Sequence, residues 1–255
     1  MPSDCIDGSA EHHVLVDPGV TGLSRDGEGN EDDVRAGDRD RDPWLPDRLL
    51  KTERDLLMPL LRRTPEGAYA NRTACPGWTA RQVLAHCAAA LVRIVEDRLE
   101  EGVFLPDANA SDVAEREDWP LGRVLDELER GMTEAGPVIA EREDGRLDAV
   151  ALGEWVHAGD VREAFGAPGA YCGDALDLAL PLLSVTSRKR ETPRLVGVLA
   201  GRPGEVALGN SIEGRAPARF HGDAATLIRI YSGRPLVRTR YELTGATEQE
   251  LLIYR

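Results

Sequence analysis

The sequence predicts an α+β protein, a helical bundle followed by a small α/β unit, on three observations. Leucines recur largely at three- and four-residue steps between Leu45 and Leu61, which is the helical period. Three further segments of that texture follow before residue 166, joined by loops, as in a bundle. Beyond about residue 169 the apolar runs shorten, alternate and are bounded by Gly and Pro, as strands are.

The first helix is expected over 44–63, with Leu45, Leu49, Leu56, Leu57, Leu60 and Leu61 on its apolar side. A loop over 64–78 closes with Cys75-Pro76-Gly77-Trp78. Thr79 then offers an N-cap, and Gln82 stands where a capping box needs it. The helix so begun runs to about Leu99, its apolar face formed by Val83, Leu84, Cys87, Leu91, Ile94 and Val95. Residues 102–119 read as a loop. Leu121, Val124, Leu125, Leu128 and Met132 start a third helix, expected to break near Gly136-Pro137 because proline lacks the helical N–H. A fourth covers 147–165 and stops at Gly166, a natural C′ residue.

The last stretch predicts a helix over 176–185 and strands at Leu195–Leu199, Glu205–Leu208 and 216–220. Asp223 caps a helix over 224–231, closed by Ser232-Gly233-Arg234-Pro235. Residues 237–243 alternate again, and the chain ends in the apolar Leu251-Leu252-Ile253.

The net charge of the 255 residues is −14, from 45 acidic and 31 basic side chains. With no Lys/Arg cluster, this argues against nucleic acid or an anionic membrane as partner. Twelve of the acids fall in residues 1–43 beside four arginines and little apolar content, the signature of a disordered acidic tail. The expected organisation is therefore a tail over 1–43, a bundle over 44–168 and an α/β unit over 169–255. No apolar run approaches the roughly 20 residues of a spanning helix, and no secretory leader pattern opens the chain. Cys5, Cys75, Cys87 and Cys172 make no CxxC pair, so a reducing cytoplasm is the expected compartment.

Of the five histidines, His12 and His13 lie in the tail and His221 at a strand–helix junction. His86 and His157 each stand on a bundle helix beside apolar neighbours, and facing side chains are how bundles build metal sites. Either alone could be a core histidine satisfied by hydrogen bonds. Glu154 and Asp160 lie nearly one turn to either side of His157, about 120° apart around the helix, so one carboxylate binds easily while the other orients a ligand or stays solvated. Imidazole with carboxylate suits Zn²⁺ and related divalent ions.

Cys75-Pro-Gly-Trp-Thr-Ala-Arg-Gln-Val-Leu-Ala-His86 resembles a signature of the mycothiol-dependent maleylpyruvate isomerase family. Trp155-Val-His157-Ala-Gly-Asp160-Val-Arg-Glu-Ala-Phe-Gly166 resembles its second signature, and Gly222 through Arg234 resembles its closing segment. The resemblance spans about 44–255. It implies a DinB-like four-helix bundle followed by a sterol-carrier-like α/β domain. It also implies a divalent metal, typically zinc, held by His86 and His157, with mycothiol as thiol cofactor. The family's third ligand is a Glu four residues before the second histidine. Here that position is Gly153 and the Glu is Glu154, which leaves Glu154, Asp160 or water for the third place. An arginine fork suits substrate carboxylates, and Arg234 is the candidate, its alternative role being a structural contact at the helix end.

The implied activity is a metal- and mycothiol-dependent cis–trans isomerase or thiol S-transferase acting on a small electrophilic substrate. The alternatives are a non-catalytic metal- or small-molecule-binding protein on the same scaffold, and a DinB-type metal hydrolase that needs no thiol.

Overall fold

The structure, a computed structural model, describes residues 41–100, 102–237 and 239–254. Helices α1 (Leu45–Arg63), α2 (Ala80–Val95), α3 (Pro106–Glu115), α4 (Leu121–Glu141) and α5 (Asp148–Ala164) come first. Of these, α1 and α2 each pack against both α4 and α5, which closes a four-helix bundle. The α+β class read from the sequence is the observed one. Leu49, Leu57 and Leu61 on α1 are buried together with Val83, Leu84 and Leu91 on α2, each side chain contributing about 1.5–3 kcal/mol relative to exposure.

Two helical expectations are corrected. The third helix does not break at Gly136-Pro137 but runs unbroken to Glu141. Its buried face (Val124, Leu125, Leu128, Met132, Ala135, Ile139) continues through that point, and packing outweighs one lost backbone bond. Gly136 serves close approach: an added Cβ would stand 2.5 Å from the Cα of Asp47 on α1. The stretch 102–119 is not all loop, because it contains α3. That helix is anchored by charge rather than by an apolar stripe. Buried Asp112 receives Arg93 (Nη2 to Oδ1, 2.6 Å), and buried Arg116 grips Glu127 (Nε to Oε2, 2.6 Å). Hydrophobic periodicity therefore had nothing to report there.

Helix α6 (Leu176–Lys189) leads into β1 (Leu195–Leu199), β2 (Glu205–Leu208), β3 (Ala218–Gly222), α7 (Ala224–Ser232), β4 (Tyr241–Thr244) and the short α8 (Glu248–Leu251). The sheet order is β2-β1-β3-β4, with β1 and β3 parallel and the outer pairs antiparallel. The third strand sits two residues later than its pattern suggested, since Gly222 still pairs with Tyr241. The final strand begins only at Tyr241, because β3 offers partners to Tyr241–Thr244 alone; Val237 is exposed. Asp223 caps α7 as expected, and Gly233 ends it at φ 67°.

Leu180 and Leu183 of α6 join Leu152 and Trp155 of α5 and Phe220 and Leu227 of the sheet unit in one continuous core. Arg41 forks onto Asp148 with two contacts of 2.8 Å, so the folded body already includes residue 41. The rest of the segment expected to be unstructured, 1–40, lies outside the described residues. Among the described residues no helix is long and apolar enough to cross a membrane.

Buried Glu53 of α1 is paired with Arg162 of α5. Arg162→Ala leaves a buried carboxylate uncompensated and is expected to lower stability by about 3–5 kcal/mol, whereas an apolar pair, Glu53→Leu with Arg162→Met, is expected to be near neutral. Urea unfolding of both variants measures this; equal losses in the two would show that packing, not charge, carries the contact.

Candidate functional site

The site begins with the start of α2. Thr79 Oγ1 accepts from the Gln82 backbone N–H while Gln82 Oε1 accepts from the Thr79 N–H at 3.0 Å, so the expected capping box is formed in full. That fixes the helix phase and places His86 where it faces α5. Its ring meets His157 edge-on, 5.3 Å between centroids, and Trp78 covers it from the loop at 5.0 Å. The two histidines singled out from the sequence are thus brought together from different helices.

His86 Nδ1 is buried with no hydrogen-bond partner. Burial, reinforced by the positive charges possible on His157 and present on Arg234, pushes the His86 pKa down to about 3. The imidazole is therefore neutral across the physiological range, with lone-pair nitrogen to offer.

His157 is held differently. Its Nδ1 lies 3.0 Å from Asp160 Oδ2, one helical turn away, and 3.3 Å from Arg234 Nη2; because an ionised carboxylate can only accept, the contact with Asp160 places the proton on Nδ1. Such a bond sets the ring orientation and leaves Nε2 as the ligating nitrogen. Asp160 is fully buried and accepts three further groups. Arg234 forks onto it, Nε to Oδ1 at 2.8 Å and Nη2 to Oδ2 at 2.7 Å, and the Tyr171 hydroxyl donates to Oδ1 at 2.6 Å. Burial alone would raise the Asp160 pKa; the hydrogen bonds from His157 and Arg234 outweigh it and hold the carboxyl down to about 2. Asp160 stays ionised, and its acceptor capacity is spent on these partners.

Arg234 has little left to give: Nη1 donates to the Ser232 carbonyl at 2.8 Å, so its whole fork is engaged inside the protein. Tyr171 reaches Asp160 from a left-handed backbone at φ 60°, a conformation costing roughly 1–3 kcal/mol in a non-glycine residue. It fits because Gly159 has no Cβ; one placed there would come within 2.5 Å of the tyrosine ring. Arg229 stacks over the other side of that ring at 4.4 Å and pairs with Glu163 at 2.7 Å.

Glu154 stands apart. It is buried against the Cys87 thiol of α2, and burial pushes its pKa up to about 8 despite that hydrogen bond. Gly153, at the place of the family's glutamate, faces Tyr254: an added Cβ would lie 3.3 Å from the hydroxyl, which donates to the Ala149 carbonyl. The donors that do gather at His157 are Asp160 and Cys75, with one ligand atom from each of the three within 4.8 Å of the others. The residues therefore fit a metal in part. Two imidazoles converge, one with an orphaned buried nitrogen and one oriented by a carboxylate, as metal-binding histidines are; neither 153 nor 154 supplies a carboxylate to them. Cys75 was missed as a donor although it opens the first signature, and Tyr171 and Tyr254 carry no local signal at all.

Two cavities open among the described residues, neither lined by His86 or His157. One of about 730 Å³ runs along Trp78, Gln82, Ala85 and Trp119. The other, about 470 Å³, lies between Arg72, Ala74, Glu163, Arg229 and Pro235, where the bundle meets the segment after α7.

Glu154 links stability to pH. Between an unfolded carboxyl near 4.3 and the folded value of about 8, the native state holds the extra proton, so stability falls as pH rises through that window. Glu154→Gln is expected to flatten this slope while keeping the fold. Urea midpoints at pH 5.5, 7.0 and 8.5 test it; parallel profiles for the two proteins would show that Glu154 is ionised throughout.

No protein-family profile matches the chain, and no curated protein does either. Among solved structures, the chain is similar to the crystal structure of the mycothiol-dependent maleylpyruvate isomerase, with a TM-score of 0.58 at 14% identity over 82% of this chain and 96% of that one. It is likewise similar to a histidine-to-alanine mutant of that enzyme, with a TM-score of 0.52 at the same identity and coverage. The chain therefore has the fold of the mycothiol-dependent maleylpyruvate isomerase.

Proposed function

We propose that this protein is an enzyme of thiol chemistry on small electrophiles, a mycothiol-dependent isomerase or S-transferase, with a divalent metal held by His86 and His157. One observation carries the proposal: two histidines from different helices converge at 5.3 Å, one buried with an unpartnered nitrogen, the other pinned by a carboxylate. The shared fold with a mycothiol-dependent isomerase supports mycothiol as the thiol. A zinc-like ion held by His86 and His157 would supply the charge that favours a thiolate at neutral pH, the nucleophile that either reaction requires.

The chain's own residues perform the positioning. Asp160 keeps the proton of His157 on Nδ1. Arg234 and Tyr171 keep Asp160 ionised and immobile, so the imidazole cannot swing away. Arg234 acts here as a positioning residue through Asp160, rather than as the substrate's carboxylate clamp. Trp78 shields His86 from water on one side.

A second reading, a non-catalytic small-molecule binder on the same scaffold, draws support from Gly153 and from the diversion of Glu154 to Cys87. Metal analysis and mycothiol titration separate the two. Wild-type protein is expected to carry about one metal per chain, His86→Ala and His157→Ala to lose it, and Asp160→Ala to weaken it about 10–100-fold. Mycothiol binding is expected to release about one proton per site and to vanish on metal removal. Equal binding of a desthiol analogue without proton release would favour the binder.

A further inference from the structure

The larger cavity, about 730 Å³, takes no part in the histidine pair, and separate parts of the chain build its walls. That volume lies within the roughly 300–1,000 Å³ of small-molecule sites. Trp78 and Gln82 reach it from the start of α2, Val113 and Ala114 from α3, and Trp119 from the turn before α4. Ala110, Val113 and Ala114 form one apolar stripe at i, i+3 and i+4. A different side of α3, carrying Asp112 and Arg116, ties the helix to Arg93 and Glu127. The ion pairs thus hold α3 in place while its apolar stripe faces the cavity instead of the core.

Trp119 is fixed as a wall before any ligand arrives. Arg81 Nη2 of α2 donates to the Glu117 carbonyl at 3.1 Å and also to the Trp119 carbonyl. The guanidinium of Arg123 lies over the indole at 3.5 Å and that of Arg116 at 4.9 Å. A flat apolar surface held in this way loses little freedom on binding. The charges of the lining cancel, Arg81 and Arg116 against Glu66 and Glu117. Both guanidiniums are also engaged, Arg81 on the two carbonyls and Arg116 on Glu127 at 2.6 and 2.9 Å. Gln82 offers the polar contact. Its Oε1 accepts from the Thr79 N–H at 3.0 Å and from the Thr79 hydroxyl at 3.2 Å, which leaves its Nε2 amide to donate.

We propose that this cavity binds an uncharged planar aromatic molecule, which packs against Trp78 and Trp119 and accepts a hydrogen bond from Gln82 Nε2. Two indoles supply flat apolar area at little entropic cost. A lining without net charge gives an ionised ligand no partner to offset its desolvation. The site is independent of the metal reading, since neither histidine lines it.

The probe is 2-acetylnaphthalene, planar, uncharged and able only to accept a hydrogen bond, titrated into full-length protein by calorimetry. One equivalent is expected to bind. The anion 2-naphthoate and the cation 2-naphthylmethylammonium are each expected to bind about tenfold more weakly or worse. Trp119→Ala, and Ala114→Phe, which fills the cavity from α3, are each expected to weaken the ketone about tenfold or more. Native circular dichroism and an unchanged thermal midpoint in Ala114→Phe separate a blocked site from a lost fold. Gln82→Glu keeps the acceptor that the capping box needs but removes the donor. It is expected to abolish the preference for the ketone over naphthalene. No binding to wild type, binding unmoved by both Trp119→Ala and Ala114→Phe, or tighter binding of either ion overturns the proposal. A preference for the ketone that survives in Gln82→Glu overturns the role of the Gln82 amide.

Discussion

The fork of Arg234 on Asp160 is the contact on which the site depends. It is buried at both ends and joins the segment after α7 to the C-terminal part of α5, residues 74 positions apart. A buried ion pair gains only when its remaining hydrogen-bonding capacity is met. Here it is, by Tyr171 and His157 on the carboxylate and by the Ser232 carbonyl on the guanidinium. The orientation of His157 is the product of that satisfaction. The α/β unit thus holds the chemistry of the bundle in place instead of being appended to it.

Several features of the surroundings follow from this pair. Tyr171 is held in a left-handed conformation because its hydroxyl must reach Asp160, and Gly159 is small because the tyrosine ring must pass it. Arg229 covers the outer face of the ring and ties Glu163 to α7. The strain in one residue is offset by a chain of charged and aromatic contacts. All of them converge on one imidazole.

The helix α5 carries three acids near His157 that meet three different surroundings. Asp160 is ionised because hydrogen bonds outweigh burial. Glu154 is protonated near neutrality because a single thiol partner does not offset its burial. Glu163 sits at the edge, shared between Arg229 and solvent. Glu154 and Asp160 stand three residues to either side of His157, and Glu163 six residues on. Only the partners from other elements separate them.

The sequence by itself determined the four bundle helices, the capping box at Thr79 and the order of the strands, because these follow from local periodicity and local hydrogen bonding. It also singled out His86 and His157, whose facing sides follow from the phase of their own helices. Long-range contact decided the rest. Helix α3 escaped notice because ion pairs, not apolar spacing, hold it. Pro137 did not end α4 because the buried face runs past it. The direction of Glu154 toward Cys87, the commitment of Asp160 to Arg234, and the arrival of Cys75, Tyr171 and Tyr254 all join residues far apart in the chain. A carboxylate's role is set by what stands opposite it, and only the tertiary structure brings that partner there.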